Sequence, residues 1–343
     1  MNRKPPAFAL IGFATALAGA AFAAANHSSD SAATSGNAIL MQATPHDRLF
    51  SLTFNGSNGV AVGDGGMVML SSDGGKNWTR EKAPTDLALI DVASNGSRAI
   101  AVGQMGLILI RDGNGAWRKV ESGTQQRLLQ VDVNAHGVAY VTGAFGTLLK
   151  STDGGETWAS AAPEWAKIYD GGAGDDAVVR DEPTNWVVRV GDDDSVIIGG
   201  EYGQLIRSAD GGGTWQTVFK HPSSQGAIAP TIFTMAIRKD GVGYAAGQSG
   251  FVATTTDSGL SWQELPAPAS SNLFGVDSFA DGEVVVVGQR VGMRSKDAGK
   301  TWAPIGGLDL NLNWYTAVAH SDQAAAGEVI GVGHSGRVIR LVP

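Results

Sequence analysis

An eight-residue phrase recurs six times along this chain. In its full form a small hydroxyl residue is followed by Asp, Gly and Trp at fixed positions, as in SSDGGKNW, STDGGETW and SADGGGTW, and looser copies read TTDSGLSW, SKDAGKTW and IRDGNGAW. A frame that is kept six times makes the chain an array of similar units, each too small to bury a core alone. Asp precedes Trp by five residues in every copy, in the pairs Asp73/Trp78, Asp112/Trp117, Asp153/Trp158, Asp210/Trp215, Asp257/Trp262 and Asp297/Trp302.

A second recurring element is a β-branched run, Gly, two variable residues, Gly and another apolar run. It reads AVGDGGMVML, AVGQMGLILI, VTGAFGTLLK, IGGEYGQLIR, AAGQSGFVAT and GVGHSGRVIR, and a seventh copy, VVGQRVGMRS, has three residues between its glycines. Apolar runs broken by Gly pairs indicate β-hairpins rather than helices. Successive Trp residues of the phrase lie 39, 41, 57, 47 and 40 residues apart, which fits four short strands. The sequence therefore predicts an all-β fold, a seven-bladed β-propeller of four-stranded blades.

The first blade illustrates the predicted strand order, called A to D from the centre outwards. Strand A is expected near residues 49–55, B near 60–63, C near 67–71 and D near 78–82. Seven Gly-pair elements but six phrases are present, because the chain ends after strand C of blade 7. We expect residues 38–42 (AILMQ) to supply the missing outer strand, which closes the ring and removes two open sheet edges.

The repeated phrase is expected to build the turn between strands C and D. Its Asp accepts hydrogen bonds from backbone N–H groups of the turn, and the following Gly adopts backbone angles that other residues avoid. The preceding hydroxyl braces the same turn, while Trp packs its apolar face on the hairpin or on the next blade. A catalytic site needs one set of groups, whereas this chain has six equivalent sets around a ring. We therefore interpret the six Asp and six Trp residues as structural and predict no catalytic residue.

These motifs resemble those of a known group of propellers. The phrase is similar to the Asp-box, or bacterial-neuraminidase, repeat, and its combination with the Gly-pair turns resembles the photosystem II stability and assembly factor family and its relatives in non-photosynthetic bacteria. The resemblance extends over about residues 49–342. It implies a non-catalytic propeller that binds a protein during assembly of a membrane complex. In photosynthetic members that complex is photosystem II and an arginine-rich surface takes part, whereas the arginines here are scattered, which favours another membrane or envelope complex.

The N-terminal segment has the features of an export signal. Arg3 and Lys4 precede an apolar stretch from Ala7 to Ala18, and small-residue cleavage frames follow it. The predicted domains are a signal peptide over 1–25, a disordered polar linker over 26–37 and the propeller over 38–343, with an uncleaved membrane anchor as the alternative for the first segment. The protein is therefore expected in the periplasm or secreted.

Composition excludes several classes of site. The chain has no Cys, which rules out disulfides, thiolate metal sites, a Cys nucleophile and a lipidated Cys. Without Arg3 and Lys4 it has 23 basic and 33 acidic residues, a net charge of −10 that opposes binding to nucleic acid or anionic lipid. The six His are scattered, and the acidic residues 192–194 are expected to be solvated in a turn between strands A and B. We predict no metal and no cofactor, and we expect a monomer.

The expected binding surface is the face where the B–C turns meet the links from strand D to the next strand A, here called the rim. The residues between the paired glycines vary while the frame is kept, as expected where a constant scaffold carries recognition. Two long links, over 161–184 and 220–230, belong to the same face, and the first is acidic and carries aromatic residues. The candidate partner-binding residues are Arg48, Arg127, Phe145, Trp165, Tyr169, Glu201, Tyr202, Arg290 and His334.

Two alternatives to protein binding remain. A sialidase-type glycoside hydrolase needs three arginines around a carboxylate, a Tyr–Glu nucleophile pair and an Asp acid. The Arg-Ile-Pro phrase of that family is absent at Arg48, and only the neighbours Glu201 and Tyr202 suggest such a pair. Sialidases also have six blades rather than seven. Binding of carbohydrate without cleavage would use the aromatic residues Phe145, Tyr202 and Trp165.

Overall fold

The computed structural model describes residues 36–168, 182–225 and 229–343. Within these ranges the chain forms seven separate four-stranded antiparallel sheets. The first strand of each sheet contacts the first strand of the next, and the last contacts the first, so the sheets close a ring. The predicted seven-bladed β-propeller of four-stranded blades is confirmed. The predicted signal peptide and all but two residues of the predicted linker lie outside the described residues.

The strands of blades 1 to 3 follow the predicted order A to D. Strand β1 (Ala38–Met41) precedes blade 1, which comprises β2 (Leu49–Asn55), β3 (Asn58–Gly63), β4 (Met67–Ser71) and β5 (Thr79–Lys82). Blade 2 comprises β6 (Leu89–Ser94), β7 (Arg98–Gly103), β8 (Ile108–Asp112) and β9 (Arg118–Val120). Blade 3 comprises β10 (Leu128–Val133), β11 (Ala139–Gly143), β12 (Leu148–Ser151) and β13 (Ala159–Ser160), and the short helix α1 (Trp165–Ile168) follows it.

The remaining four blades repeat this arrangement. Blade 4 comprises β14 (Asn185–Val190), β15 (Val196–Gly200), β16 (Gln204–Ser208) and β17 (Gln216–Lys220). Blade 5 comprises β18 (Ile232–Ile237), β19 (Gly243–Gly247), β20 (Val252–Thr255) and β21 (Gln263–Glu264). Blade 6 comprises β22 (Leu273–Ser278), β23 (Val284–Gly288), β24 (Val291–Ser295) and β25 (Ala303–Pro304). Blade 7 has β26 (Tyr315–Ala319), β27 (Val329–Gly333) and β28 (Val338–Leu341).

The N-terminal strand closes the ring as predicted. Strand β1 pairs antiparallel with β28, with Ala38 opposite Arg340 and Ile39 opposite Ile339, and so becomes the outer strand of blade 7. Asn37, the last residue of the predicted linker, contacts the propeller. Asn37 donates from Nδ2 to the carbonyl of Gly306 at 2.8 Å, and its Oδ1 accepts the N–H of Val342 at 2.7 Å. Asn37 is therefore fastened to the propeller.

The hydrophobic core lies between neighbouring sheets rather than within one. Fully buried Ile100 and Ile108 of blade 2 pack with Leu128 and Val141 of blade 3, and the other clusters likewise join residues of successive blades. Successive strand residues point to opposite sheet faces, so a blade with neighbours on both sides buries both faces. The continuous Val, Ile and Leu runs of strands B and C follow from this arrangement.

The repeated phrase forms the C–D turn, and blade 3 is representative. The Ser151 hydroxyl donates to Asp153 Oδ1 at 2.7 Å and accepts the N–H of Gly155 at 2.8 Å. Asp153 accepts the N–H of Thr157 at 3.0 Å and its hydroxyl at 2.6 Å. Trp158 is half-buried against the core between blades 2 and 3, and its Nε1 donates to the Gly155 carbonyl at 2.9 Å. Blades 1, 4, 5 and 6 contain the same hydroxyl–Asp–backbone bonds.

The Trp residues of the phrase are not equivalent, which corrects the expectation of six identical sets. Trp302 donates from Nε1 to the Pro266 carbonyl at 3.2 Å, outside its own turn. In Trp215 and Trp262, Nε1 is buried and has no hydrogen-bond partner among the described residues, so neither indole braces its turn as Trp158 does. Both are half-buried and are held by apolar contacts instead: Trp215 packs on the core between blades 3 and 4, and Trp262 on that between blades 4 and 5. A buried N–H without an acceptor costs about 1–3 kcal/mol, which this apolar packing must outweigh.

Blade 2 departs from this turn altogether. Its copy begins with Ile110 instead of Ser or Thr, so no hydroxyl is present to bond Asp112. Asp112 instead accepts from Arg98 Nε at 2.6 Å and lies 3.7 Å from Arg118 Nη2, which places it in a network of surface ion pairs. Trp117 is buried nevertheless, within the core between blades 1 and 2. The Trp position is therefore kept without the Asp-centred turn.

Candidate functional site

The rim is built by contacts between each B–C turn and the link that follows its blade. The N–H of Gly106 donates to the Gln126 carbonyl at 2.8 Å, and the N–H of Gly146 donates to the Pro183 carbonyl at 2.9 Å. At Gly66, with φ of +68°, an added Cβ would lie 2.1 Å from the carbonyl oxygen of the next link, so only Gly allows this approach. The turns and links share one face, and the C–D turns that carry the phrase lie at the other end of the strands.

The second variable residue of every B–C turn has a left-handed backbone. Side chains with a Cβ are strained in this conformation, which makes large residues uncommon there. Met105 and Phe145 nevertheless occupy it on neighbouring blades, with 62% and 65% of their surfaces exposed. Backbone strain and apolar exposure at the same two positions indicate a contact surface. The residues in this position, with φ between 53° and 72°, are Gly65, Met105, Phe145, Tyr202, Ser249, Arg290 and Ser335.

The three predicted rim arginines are exposed but do not form a cluster. Arg127 lies between the turns of Met105 and Phe145, where its carbonyl accepts the N–H of Ala144 at 3.0 Å. Arg48 Nη1 lies 3.3 Å from a carboxylate of its own blade, Asp64. Within the described part of the chain, neither Arg127 nor Arg290 has an ion-pair partner. The arginines therefore lie on blades 1, 3 and 6 as separate cationic points around the opening.

His334 belongs to a polar cluster that ties blade 7 to the link before it. Asp309 accepts hydrogen bonds from Asn313 Nδ2 at 2.6 Å and from the Tyr315 hydroxyl at 2.8 Å, and it forms an ion pair with Arg337. His334 Nε2 lies 3.2 Å from the same carboxylate, and burial lowers the pKa of His334. The cluster joins a link, a strand and a turn, so its evident effect is to brace the closing blade.

Glu201 and Tyr202 are held by their own blade rather than projecting freely. Glu201 Oε2 accepts the N–H of Thr184 at 2.9 Å. Tyr202, in the same single-turn 3₁₀ helix, is half-buried against the core between blades 3 and 4. Both residues lie in a turn rather than on a strand.

Trp165 is a core residue. Its side chain is 4% exposed, and Nε1 donates to the Gly146 carbonyl at 2.9 Å. The expectation of an exposed rim aromatic at this position is therefore wrong. Helix α1 folds the start of the long link back onto blade 3, where the indole fills the space beside the Gly146 turn. Tyr169, in the same link, lies outside the described residues.

A repeated β-bulge, absent from the sequence-based predictions, shapes the central opening. In every blade the A–B ladder shifts register after the first residue of strand A, as between Leu49 and Ser51 in blade 1. A bulge leaves one residue unpaired and redirects its side chain. The unpaired residues all line the central channel near the rim, and we call them the collar: Phe50, Ile90, Leu129, Trp186, Phe233, Phe274 and Thr316.

The collar opens into a channel of about 830 Å³. Part of its wall is a continuous run of aromatic rings: the centroids of Trp186 and Phe233 are 5.3 Å apart, and those of Phe233 and Phe274 are 5.6 Å apart. On blade 1, Phe50 stacks on Trp314 of the last link at 6.4 Å. A sequence signal for the collar exists in hindsight, because strand A begins with an apolar pair in five of the seven blades.

Below the collar, polar side chains join the innermost strands of adjacent blades. Asp91 of blade 2 accepts from the Ser51 hydroxyl at 2.5 Å and from the N–H of Val131 at 2.9 Å, so it bridges blades 1 and 3. Burial raises the pKa of Asp91 to about 7. Asp132, two residues further along strand A of blade 3, accepts the N–H of Val190 of blade 4 at 2.7 Å. These carboxylates satisfy N–H groups that strand A, as an edge strand, would otherwise leave unpaired.

A further pair lies in the channel wall. His320 Nδ1 is 2.7 Å from Asp277 Oδ2, and this hydrogen bond raises the pKa of His320. The acidic residues 192–194 lie in the A–B turn of blade 4, where Asp192 and Asp194 accept hydrogen bonds from blade 3. Across the described ranges no group of three or more His, Cys, Asp or Glu side chains could hold a metal ion. The same ranges contain no helix that combines the length and the apolar character needed to cross a bilayer.

Comparisons with known proteins extend the resemblance noted in the motifs. No protein-family model matches the chain. A photosystem II assembly lipoprotein, Ycf48 of Synechococcus sp. (strain CC9902), is 26% identical over 241 residues, which cover 59% of this chain and 70% of the relative. The resemblance to photosystem II assembly factors is thereby confirmed.

Solved structures agree at the level of the fold. YCF48 from Cyanidioschyzon merolae aligns with a TM-score of 0.70 and 16% identity over 90% of this chain and 99% of that one. YCF48 bound to a D1 peptide aligns with a TM-score of 0.64 and 16% identity over 90% and 96% of the two chains. An enzyme shares the fold too: a xyloglucanase from Xanthomonas campestris has a TM-score of 0.62 and 17% identity over 88% of this chain and 52% of its own. The chain is thus similar in sequence to the photosystem II assembly factor Ycf48 and has the same propeller fold.

Proposed function

We propose that this protein is a non-catalytic, protein-binding assembly factor for a membrane complex, and that the rim is its binding surface. The observation that carries the proposal is the exposed apolar pair Met105 and Phe145, held in left-handed turns on neighbouring blades. The similarity to a photosystem II assembly lipoprotein supports an assembly role, and a Ycf48 structure with a bound D1 peptide supports a polypeptide ligand. The basic and apolar start of the chain supports an assembly step in the periplasm or outside the cell.

The fold alone does not separate a binding protein from an enzyme, because hydrolases share it. The side chains favour binding. Of the described residues, the channel wall includes two arginines, Arg127 and Arg189, and the second is 3.3 Å from Asp132. A sialidase-type site needs three arginines on one carboxylate, and it uses six blades. The carbohydrate-binding alternative is weakened, because Trp165, one of its three predicted aromatic contact residues, is buried.

The test is site-specific crosslinking in the cell. A photoreactive amino acid at position 145 should crosslink to a subunit of a membrane complex, whereas the same group at Leu260, which is 53% exposed on the opposite face, should not. A strain without the protein should accumulate less of that complex. The wild-type gene and a Leu260→Asp variant should restore it, and the double variant Met105→Asp, Phe145→Asp should not.

Two results would contradict this proposal. Equal crosslinking from positions 145 and 260 would show that the rim is not the specific binding surface. Hydrolysis of a fluorogenic sialoside by the purified protein, or specific signal on a glycan array that the double variant loses, would replace protein binding with carbohydrate recognition. Export is tested separately, by fusing residues 1–37 to a reporter that is active only outside the cytoplasm.

A further inference from the structure

We propose that the collar is a socket for one large apolar side chain of the partner, in a polypeptide segment that carries a carboxylate close to that side chain. This inference rests on the proposed protein-binding function and specifies the kind of segment that the rim takes. Three observations carry it: the large apolar side chains that surround the mouth of the channel, the charge of Arg127, which has no ion-pair partner among the described residues, and the position of the exposed residues Met105 and Phe145.

The fold does not require an apolar collar. All seven blades contain the bulge, yet blade 7 places Thr316 in it, where the hydroxyl donates to the Leu49 carbonyl at 3.1 Å. A polar residue is therefore compatible with the bulge, and the other six blades have apolar side chains for another reason. The residue after the bulge is small or polar wherever it lines the channel, at Ser51, Asp91, Gln130, Thr234, Gly275 and Ala317. Large apolar side chains thus surround the mouth, and the positions directly after them hold small or polar residues.

This layering fits a ligand group that enters only a short distance. The aromatic run on blades 4 to 6 offers ring faces and edges to an incoming side chain, and Ile90 of blade 2 and Leu129 of blade 3 add aliphatic surface. An aromatic side chain buries about 150–250 Å² when it is enclosed, and the channel of about 830 Å³ has room for it. A charged side chain would gain less, because the carboxylates below the collar are already hydrogen-bonded to neighbouring blades.

The positive charge of Arg127 at the channel mouth favours a bound segment with a carboxylate next to its apolar side chain. Arg127 lines the channel mouth beside Leu129 of the collar, and within the described residues it has no ion-pair partner. Guanidinium groups bind carboxylates through two parallel hydrogen bonds, which fix direction as well as charge. A carboxylate within one or two residues of the apolar side chain would reach Arg127, because an extended chain advances about 3.3 Å per residue. Met105 and Phe145 lie on either side of Arg127, so the rest of the segment would cross blades 2 and 3.

The experiment uses a random heptapeptide library displayed on phage and selected against the purified full propeller. The enriched peptide should contain a large aromatic or aliphatic residue next to Asp, Glu or a free C-terminus. It is then synthesised with a fluorescent label for anisotropy titration, together with versions in which the apolar residue is Ala or the carboxylate is an amide. Each change should weaken binding at least about 10-fold, which corresponds to about 1.4 kcal/mol.

Four variants locate the socket. Phe233→Ser removes apolar surface from the collar. Thr316→Trp blocks the channel mouth and leaves the apolar side chains of the collar in place. Each variant should weaken binding at least about 10-fold. Arg127→Gln should weaken the carboxylate peptide about 10-fold and leave the amide peptide unchanged. Leu260→Ser, an equally apolar site on the other face, should bind as the wild type does. Melting curves followed by circular dichroism show which variants are folded, and if Phe233→Ser is not, Thr316→Trp supplies the same test.

The inference is overturned if no peptide is enriched, if the enriched peptides lack an apolar residue, or if Thr316→Trp binds them as the wild type does. These outcomes differ from failure of the proposed function. If the crosslinks from position 145 persist while the collar variants bind peptide normally, the rim remains the binding face and only the socket is wrong. If position 145 yields no crosslinks, the protein-binding function itself is lost.

Discussion

At the scale of single residues, one type of side chain takes two opposite electrostatic roles in this fold. In the repeated phrase, the side-chain and backbone hydrogen bonds from Thr157 lower the pKa of Asp153 to about 2. In the channel wall, burial raises the pKa of Asp91 to about 7. The first role could be predicted, because the hydroxyl, Asp and Gly lie within one short phrase. The second could not, because the partners of Asp91, Ser51 and Val131, are 40 residues away on either side.

Asp91 should make the protein less stable as the pH rises towards neutrality. An Asp in the unfolded chain has a pKa near 3.9, so between about pH 4 and pH 7 the folded chain alone holds the proton. Stability therefore falls with increasing pH in this window. The variant Asp91→Asn resembles the protonated form and should show a flatter dependence when unfolding by urea is measured from pH 4 to 8.

Asp86→Asn is the matched control for this measurement, because Asp86 is exposed in a rim link and has no hydrogen bond in the described structure. It should retain the slope of the wild-type protein. Identical slopes for the wild-type protein and Asp91→Asn would show that the Asp91 carboxylate is ionised in the folded state, contrary to the prediction. The opposite trend is expected in acid, where the phrase carboxylates with lowered pKa stabilise the fold above about pH 4 and lose this effect as the pH falls towards 2.

At the scale of elements, the hairpins and turns could be predicted from the local sequence, whereas the bulges and the packing of the long loop could not. The observed β2 and β4 have the predicted bounds, β3 begins two residues earlier than predicted, and β5 begins one residue after Trp78. Gly pairs and the phrase define these hairpins locally. The collar bulges arise where seven strands meet around one axis, so no single blade sequence specifies them. The burial of Trp165 could not be predicted for a related reason: its partner, the Gly146 turn, is 19 residues away across a link whose path the sequence does not reveal.

Replacing Trp165 tests the corrected assignment. Trp165→Ala removes a large buried side chain and should lower the free energy of unfolding by about 3–5 kcal/mol, well above the effect expected for a surface residue. Trp165→Phe keeps most of the apolar volume but loses the bond to the Gly146 carbonyl, so about 1–2 kcal/mol is expected. Urea unfolding of both variants beside Phe145→Ala, an exposed residue of the adjoining turn, provides the comparison. If Trp165→Ala lowers the free energy of unfolding by less than about 1 kcal/mol, the indole lies on the surface and the assignment to the core is wrong.

At the scale of the whole molecule, a closed ring makes the two ends of the chain depend on each other. The core lies between blades, so an open ring would expose two blade faces in addition to two sheet edges. The count of seven could be predicted because each Gly pair marks one blade, and closure followed because the last blade lacked an outer strand. The channel mouth could not be predicted, because it exists only in the assembled ring.

The closing strand should therefore determine the stability of the entire propeller. Deleting residues 1–43 removes β1, leaves β28 as an open edge, and uncovers the side of blade 7 on which Leu40 and Met41 pack. Exposed apolar edges promote pairing between chains, so this truncation should lower the melting temperature by more than about 10 °C, lose cooperativity and aggregate on heating. Deleting residues 1–35 instead keeps every pair of the β1–β28 ladder. The melting curve of this shorter truncation should match that of a chain beginning at Asn26. Differential scanning calorimetry with light scattering compares the two. If both truncations melt alike, the ring is held by contacts between the blade faces, and β1 merely covers an edge that the protein can leave open.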